Sequence, residues 1–400
     1  MKINVIYITD LFPTENNPVR GIFIMKRLEA AKKAGIKFVV FATEFKETWD
    51  LTLIRKIFRK PPRIIQQFIK KDIPFQNIPV RFSLLDRIIV KTMKKKKTIA
   101  RQAAKYISNV VGSSYSVIHA HGMYEIGAGL IAMYLSELLN IPYIVTLHGS
   151  DVNRVMPRMQ EVFVKVLENA SKVIFVSEKL RMRAMEFGYS GGNSAVIPNG
   201  YDPSVFHPMD KKSVRKELKV LKEGYKYVGF VGGLNHAKRA DKLPEIFHVI
   251  AKQVRKVRFF VIGDGTLRKF VEKNTENLDI VLTGMLPQQE VAKWMNAMDV
   301  VILPSREEGF GAVIVEAMAC GTAVIGSNNG GIPETIGFKE FVVEEGKDFE
   351  ERFANKVIKV LDEGYDPTLL IERAKKFTWE SIFKKEKECY LDILARSQNR

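Results

Sequence analysis

Short, unbroken apolar runs alternate with amphipathic stretches along most of the chain. The runs "INVIYITDLFP", "IKFVVFAT", "SVIHAHG", "PYIVTLHGSD" and "KVIFVS" are rich in β-branched residues and lack polar alternation. That pattern predicts strands buried on both faces of a parallel sheet. Between them, "GIFIMKRLEAAKKAG" and "GAGLIAMYLSELL" carry apolar residues at helical spacing, and Gly35 supplies a stop. The opening is therefore a βαβ unit of Rossmann-like type. After "AVIPNGYDPSVF" and the charged "MDKKSVRKELKVLKEG", the rhythm restarts with "YKYVGFVGGLNHAKR", "FFVIGDGTLRKFVEK", "IVLTGMLPQQEVAKWMNAM" and "DVVILP". Two similar α/β halves are expected, residues 1–205 and 206–378. A last helix, 379–400, is marked by the spacing of Trp379, Phe383 and Tyr390.

Length supports this division, since 400 residues exceed what one core usually holds. One segment breaks the rhythm. From Glu44 to Lys105 the chain carries Pro61, Pro62, Pro74 and Pro79, and from Arg55 onward it has 16 Lys or Arg against only Asp72 and Asp86. It reads as an insertion in the first half. The formal charge of +18 points to anionic partners, and here an anionic membrane surface is the candidate. Lysines would meet headgroups while Ile57, Phe58, Ile64, Ile65 and Phe68 enter them. No nucleic-acid motif accompanies the basic run, so nucleic acid is not an expected partner. Cys320 and Cys389 form no framework or metal cluster, which fits a reducing cytoplasm. The start lacks the apolar core of a signal peptide, and no run reaches membrane-spanning length.

The richest stretch is Pro304 to Glu334, "PSREEGFGAVIVEAMACGTAVIGSNNGGIPE". After the strand "DVVILP", Gly309 and Gly311 flank Phe310 in a loop where bare backbone can approach a ligand. A helix from Ala312 to Cys320 follows and stops at Gly321. Its free N–H groups and positive dipole end suit a phosphate or diphosphate. Glu316 lies in the second turn and leans toward that end, as a partner for a ribose diol. Glu308, eight positions earlier and off the helix, can face another part of the same ligand.

This stretch resembles the signature of retaining glycosyltransferases of the GT-B fold, the large family with the E-x7-E donor motif (family 4, group 1 type). The match includes the two glutamates, Phe310 between glycines, "EAMACG" and "GGIPE". The resemblance implies two Rossmann-like domains facing across a deep cleft, with the last helix crossing back to the first domain. It implies that Glu316 holds the ribose of a nucleotide sugar, that Glu308 contacts the donor sugar, and that Gly309, Phe310 and Gly311 offer backbone contacts. "HAHG" and "LHGSD" match first-domain motifs, which puts His148 beside the donor sugar and His121 and Asp151 on the acceptor side. His119 is read as packing. Gly21, in the first strand-to-helix loop, matches a glycine near the diphosphate. Asn199 falls in the "PNG" turn by the hinge and Met285 near the nucleobase.

Lys238 aligns with the lysine of the family's "GRL…K" motif and would stabilise the departing diphosphate. The motif's arginine is Gly233 here, so Arg239 is the candidate replacement. The implied reaction transfers a hexose, with retention, from a nucleotide diphosphate sugar to a glycan or lipid-linked acceptor. Neither a cofactor nor a metal is expected, because the sequence has no G-x-G-x-x-G and no D-x-D. The expected location is cytoplasmic, with a peripheral place on the inner membrane face as the variant the basic segment allows. A sugar-nucleotide 2-epimerase and a noncatalytic nucleotide-binding module are the alternatives.

Overall fold

A computed structural model describes residues 2–47, 53, 56–57, 67–70, 72–82, 93–124 and 127–398. The chain forms two compact units: Met1–Ile197 with Phe383–Arg400, and Pro198–Ile382.

Unit 1 is built on a seven-stranded parallel sheet ordered β3-β2-β1-β4-β5-β6-β7. Its strands are β1 (Asn4–Thr9), β2 (Lys37–Glu47), β3 (Phe75–Phe82), β4 (Val117–His121), β5 (Tyr143–Leu147), β6 (Lys172–Phe175) and β7 (Ser194–Val196). The helices are α1 (Ile22–Lys33), α2 (Met93–Val110), α3 (Ala128–Leu139), α4 (Gln160–Asn169) and α5 (Glu178–Glu186). Central strands such as β4 and β5 are buried along their whole length, which is why their sequences lack polar alternation. Strand order reverses between β1 and β4, so their carboxyl ends, Thr9 and His121, are register partners at the switch point, where open α/β sheets generally bind ligands.

The segment Glu44–Lys105 is not wholly an insertion. β2 continues through Glu47, and Phe75–Phe82 pairs with it in continuous register from Val40↔Phe75 to Glu47↔Phe82. Pro79 is tolerated because β3 is the sheet edge, where a missing N–H leaves no ladder bond unmade. Helix α2 packs along α3, with the Arg101 guanidinium 4.9 Å over the Tyr134 ring. Phe68 is buried against Phe12 and Phe75, at ring separations of 6.3 and 5.2 Å, and does not face a membrane. Ile57 is exposed, whereas Phe58, Ile64 and Ile65 lie outside the described residues.

Unit 2 repeats the plan with six parallel strands ordered β10-β9-β8-β11-β12-β13. These are β8 (Lys226–Val231), β9 (Val257–Ile262), β10 (Ile280–Gly284), β11 (Val300–Leu303), β12 (Ala323–Ser327) and β13 (Val342–Val343). Its helices run from α6 (Lys211–Glu217) through α7 (Leu243–Gln253), α8 (Arg268–Asn274), α9 (Gln288–Ala297), α10 (Ala312–Ala319), α11 (Ile332–Ile336) and α12 (Phe349–Glu363) to α13 (Pro367–Lys375). Here the strand order reverses between β8 and β11. The final helix, α14 (Trp379–Gln398), belongs to unit 1 from Phe383 onward. Among the described residues, no helix is long and apolar enough to cross a membrane.

Candidate active site

The switch point of unit 2 brings two loops together. The loop after β8 makes a short turn, His236–Lys238, capped by Asn235, whose side-chain oxygen accepts the Lys238 N–H at 3.1 Å. The loop after β11 is laced to it: Arg306 N–H donates to Ala237 O at 2.8 Å, and the Arg306 guanidinium binds both oxygens of Asp241 at 2.6 and 2.8 Å. This lacing places the Lys238 ammonium on the Glu308 carboxylate as an ion pair. A third loop closes against Glu308. Its carbonyl accepts the Gly331 N–H at 3.1 Å, and a Cβ at Gly330, where φ is +54°, would overlap that oxygen. The "NGG" of the sequence is thus needed for close backbone approach.

Gly311, at φ +81°, leads into α10, and Phe310 is a core residue whose ring packs 5.6 Å from Phe377. Only the Phe310 backbone is in the loop, and Thr335 fixes its carbonyl with a 2.6 Å hydrogen bond. Gly309 is buried in the same bend. Glu316, half-buried in the second turn of α10, makes no side-chain hydrogen bond or ion pair among the described residues. Burial alone pushes its carboxyl up to about 7. A half-buried carboxyl without a donor is primed for hydroxyl groups from outside the chain.

Arg239 is placed differently from the expectation. Its guanidinium is buried, lies 3.9 Å over the Phe349 ring, and donates to both oxygens of Glu345 at 2.8 Å. Its charge is paired with Glu345, while Nε and Nη1 are buried without a hydrogen-bond partner among the described residues. A Cβ at Gly233 would stand 3.0 Å from the Asn235 side-chain nitrogen and 4.0 Å from the Asp264 carbonyl oxygen. Met285 is exposed and Asn199 is buried in the turn that opens unit 2.

In unit 1, β4 and the end of β5 gather three histidines. The rings of His119 and His121 stack at 4.4 Å, and His121 Nδ1 lies 3.3 Å from His148 Nε2. Burial holds both His121 and His148 well below the usual imidazole range, so both are neutral near pH 7. Their other nitrogens, His121 Nε2 and His148 Nδ1, are buried without a partner among the described residues. Asp151, expected on the acceptor side, acts through the backbone of the loop after β5. Its fully buried carboxylate accepts the backbone N–H groups of His148, Gly149 and Val152 and shapes the β5 exit loop. Burial raises its carboxyl and these bonds counter that rise. Gly21, at φ +63°, caps α1, and a Cβ there would stand 2.9 Å from the Leu11 carbonyl.

Sequence reading missed Arg27, Glu386 and Tyr390, all buried in unit 1 around His119. The signal was present. Arg27 interrupts the apolar stripe Ile24, Leu28, Ala31 on α1, and Glu386 interrupts Ile382, Phe383, Tyr390 on α14. Two opposite charges at core positions of separate helices point to a buried pair.

Two family models match successive parts of the chain: Glycosyltransferase Family 4 over residues 23–205 and Glycosyl transferases group 1 over 211–377. The uncharacterized glycosyltransferase MJ1178 of Methanocaldococcus jannaschii is 31% identical over 307 residues, covering 73% of this chain and 80% of its own. A Bacillus subtilis protein, TuaC, named as a glycosyltransferase of teichuronic acid biosynthesis, is 27% identical over 352 residues, covering 84% and 83%. Among solved structures, Anabaena HepE in complex with UDP superposes with a TM-score of 0.71 at 19% identity, covering 97% of this chain and 99% of that one. The same protein is known with UDP-glucose bound. The two parallel sheets, the switch-point loops and these matches lead to one conclusion: the chain belongs to the group 1, family 4 glycosyltransferases of GT-B fold.

Proposed function

We propose that this glycosyltransferase moves a hexose, with retention of anomeric configuration, from a nucleotide diphosphate sugar to a glycan or lipid-linked acceptor. The observation that carries the reading is the grouping of Lys238, Glu308 and the start of α10 at the β8/β11 switch point. Departure of the nucleotide is the difficult step, since negative charge builds on the β-phosphate oxygen. Lys238 and the N–H groups of the first turn of α10 are fixed before reaction, so they stabilise that charge with little reorganisation. Glu308 is then released from Lys238 to meet the sugar, and Glu316 accepts the ribose hydroxyls. The unpartnered ring nitrogens of His148 and His121 suit sugar hydroxyls, which can both donate and accept. The UDP and UDP-glucose complexes of HepE support a nucleotide-sugar donor.

The test is incubation with a panel of nucleotide sugars, with released nucleoside diphosphate and glycosylated product both measured. Acceptor-dependent release with a retained anomer is the expected result. An epimerised nucleotide sugar formed without acceptor would instead establish the 2-epimerase alternative.

A further inference from the structure

Arg27 of α1 and Glu386 of α14, both fully buried in unit 1, meet at 2.6 Å. The other oxygen of Glu386 accepts the Tyr390 hydroxyl hydrogen at 2.6 Å. Burial alone would raise the Glu386 carboxyl, but Arg27, His119 and the Tyr390 hydrogen bond hold it down at about 2, so it is an anion. An anionic carboxylate can only accept, and Tyr390 has one hydroxyl hydrogen to give. Every other partner of the Tyr390 oxygen must therefore donate to it. Those partners are His119 Nδ1 at 2.6 Å and the Tyr7 hydroxyl at 2.9 Å.

It follows that His119 carries its hydrogen on Nδ1. Burial lowers the pKa of this ring, more than the Glu386 contact raises it, and so keeps it uncharged. Its Nε2 is left as the acceptor for the Thr146 hydroxyl at 2.7 Å. Hydrogen bonding runs one way, from Thr146 through His119 and Tyr390 to Glu386. A ring held at both nitrogens has a fixed plane, and that plane is the face on which His121 stacks at 4.4 Å and 28°. Phe23 packs against His148 at 4.5 Å, and Tyr7 lies 5.7 Å from His121. Charged and titratable groups around the three rings include Arg27 from α1, Tyr7 from β1, Glu386 and Tyr390 from α14, and Asp151 from the loop after β5, which accepts the His148 N–H at 3.0 Å.

We propose that Glu386 is a positioning residue for the His121–His148 pair: by setting the direction of hydrogen bonding through Tyr390, it locks His119 as the Nδ1–H tautomer and fixes the ring plane that orients the pair. Glu386 touches no substrate in this scheme. It acts from the last helix, through Tyr390 and through its own 3.5 Å approach to His119 Nδ1, in the way outer hydrogen-bond partners orient functional histidines elsewhere. Only its effect on turnover rests on the sugar-facing role proposed for His148.

The experiment is nitrogen-15 NMR of the imidazole groups in the full chain, which has six histidines. Wild-type protein should show His119 as a single Nδ1–H tautomer. In Glu386→Gln the introduced amide both donates and accepts, so the direction is no longer enforced; His119 should populate the Nε2–H form, and the His121 and His148 signals should move. Tyr390→Phe keeps the Arg27–Glu386 pair, and with it the fold, but leaves His119 Nδ1 only the Glu386 oxygen 3.5 Å away, so the ring plane should loosen and the His121 and His148 signals should move. In both variants kcat should fall roughly tenfold or more while KM for the nucleotide sugar changes little, since orientation and not binding is disturbed. An Nε2–H tautomer in the wild type would overturn the proposal, as would unchanged His121 and His148 signals in both variants. Displaced signals with undiminished kcat would leave the network standing and overturn the sugar-facing role of His148.

Discussion

The ammonium of Lys238 is paired with the carboxylate of Glu308, 70 positions further along the chain, so the two charged groups at the unit 2 switch point neutralise one another. On the function proposed above, a bound diphosphate would compete for the lysine, and the pair would open for both residues to act. Lys238→Met should lower kcat/KM for the nucleotide sugar by about 100-fold, the usual effect of removing one fixed donor to developing charge. Glu308→Gln should lower kcat with nucleotide affinity kept. Steady-state release of nucleoside diphosphate measures both, and a Lys238→Met enzyme of wild-type efficiency would exclude the lysine from leaving-group stabilisation.

Glu316→Gln should weaken binding of the nucleoside diphosphate by roughly tenfold or more, because each hydroxyl bond to a charged acceptor is worth about 1.5–3 kcal/mol. Calorimetric titration reads this directly.

The same residue sets a pH dependence of stability. Its folded carboxyl titrates at about 7 against an ordinary value of 4.5, so between these pH values the folded state holds a proton that the unfolded state has released. Stability therefore falls as pH rises from 4.5 to 7 and stays lower above. Glu316→Gln should be more stable than wild type at pH 8 by on the order of 2 kcal/mol, and this gain should vanish near pH 4. Denaturant unfolding at the two pH values checks the sign.

Gly330→Ala should unfold more readily and lose turnover, because left-handed strain is joined by overlap with the Glu308 carbonyl. A loss of about 1–3 kcal/mol is expected. Gly35→Ala, at φ +74° but with nothing within 4 Å of the added carbon, should show only the strain and keep full activity. Parallel melts and rates separate the two effects.

On the proposed mechanism activity should survive EDTA, since Lys238 and the start of α10 would take the electrostatic role a divalent ion has in D-x-D transferases. Abolition by EDTA with rescue by magnesium or manganese would contradict this.

Lys94 to Lys97 stand in the first turns of α2, an 18-residue helix whose dipole there favours anions. Four lysines at the positive end of that dipole repel it and one another, and headgroups of an anionic bilayer would relieve this, so the protein should co-sediment with anionic vesicles at low salt and release as salt rises. Replacing the four lysines by serine should weaken the binding. Failure to sediment even at low salt would favour a soluble acceptor.

The strands, the two-unit plan and the loop from Pro304 to Glu334 were legible because buried parallel strands and close-packed glycines leave strong local patterns. β3 was not, because an edge strand with Pro79 looks like an interruption until its partner is known. The surroundings of Asp151 and Arg239 were not legible for a related reason. Their charges are satisfied by groups whose proximity only the fold creates: three backbone N–H groups for Asp151, and Glu345 for Arg239. Arg27 and Glu386 announced themselves only as flaws in two apolar stripes.

The union of Arg27 with Glu386, 359 positions apart, also orders the birth of the protein. A guanidinium entering an apolar core without its counter-ion is strongly opposed, so α1 stays hydrated until residue 386 has emerged from the ribosome. Unit 2 is continuous in sequence and meets no such delay. The part made first is thus expected to finish last, an inversion of the usual amino-to-carboxyl sequence of domain folding. A nascent chain stalled before residue 386 should accordingly carry a protease-resistant unit 2 beside a digestible unit 1.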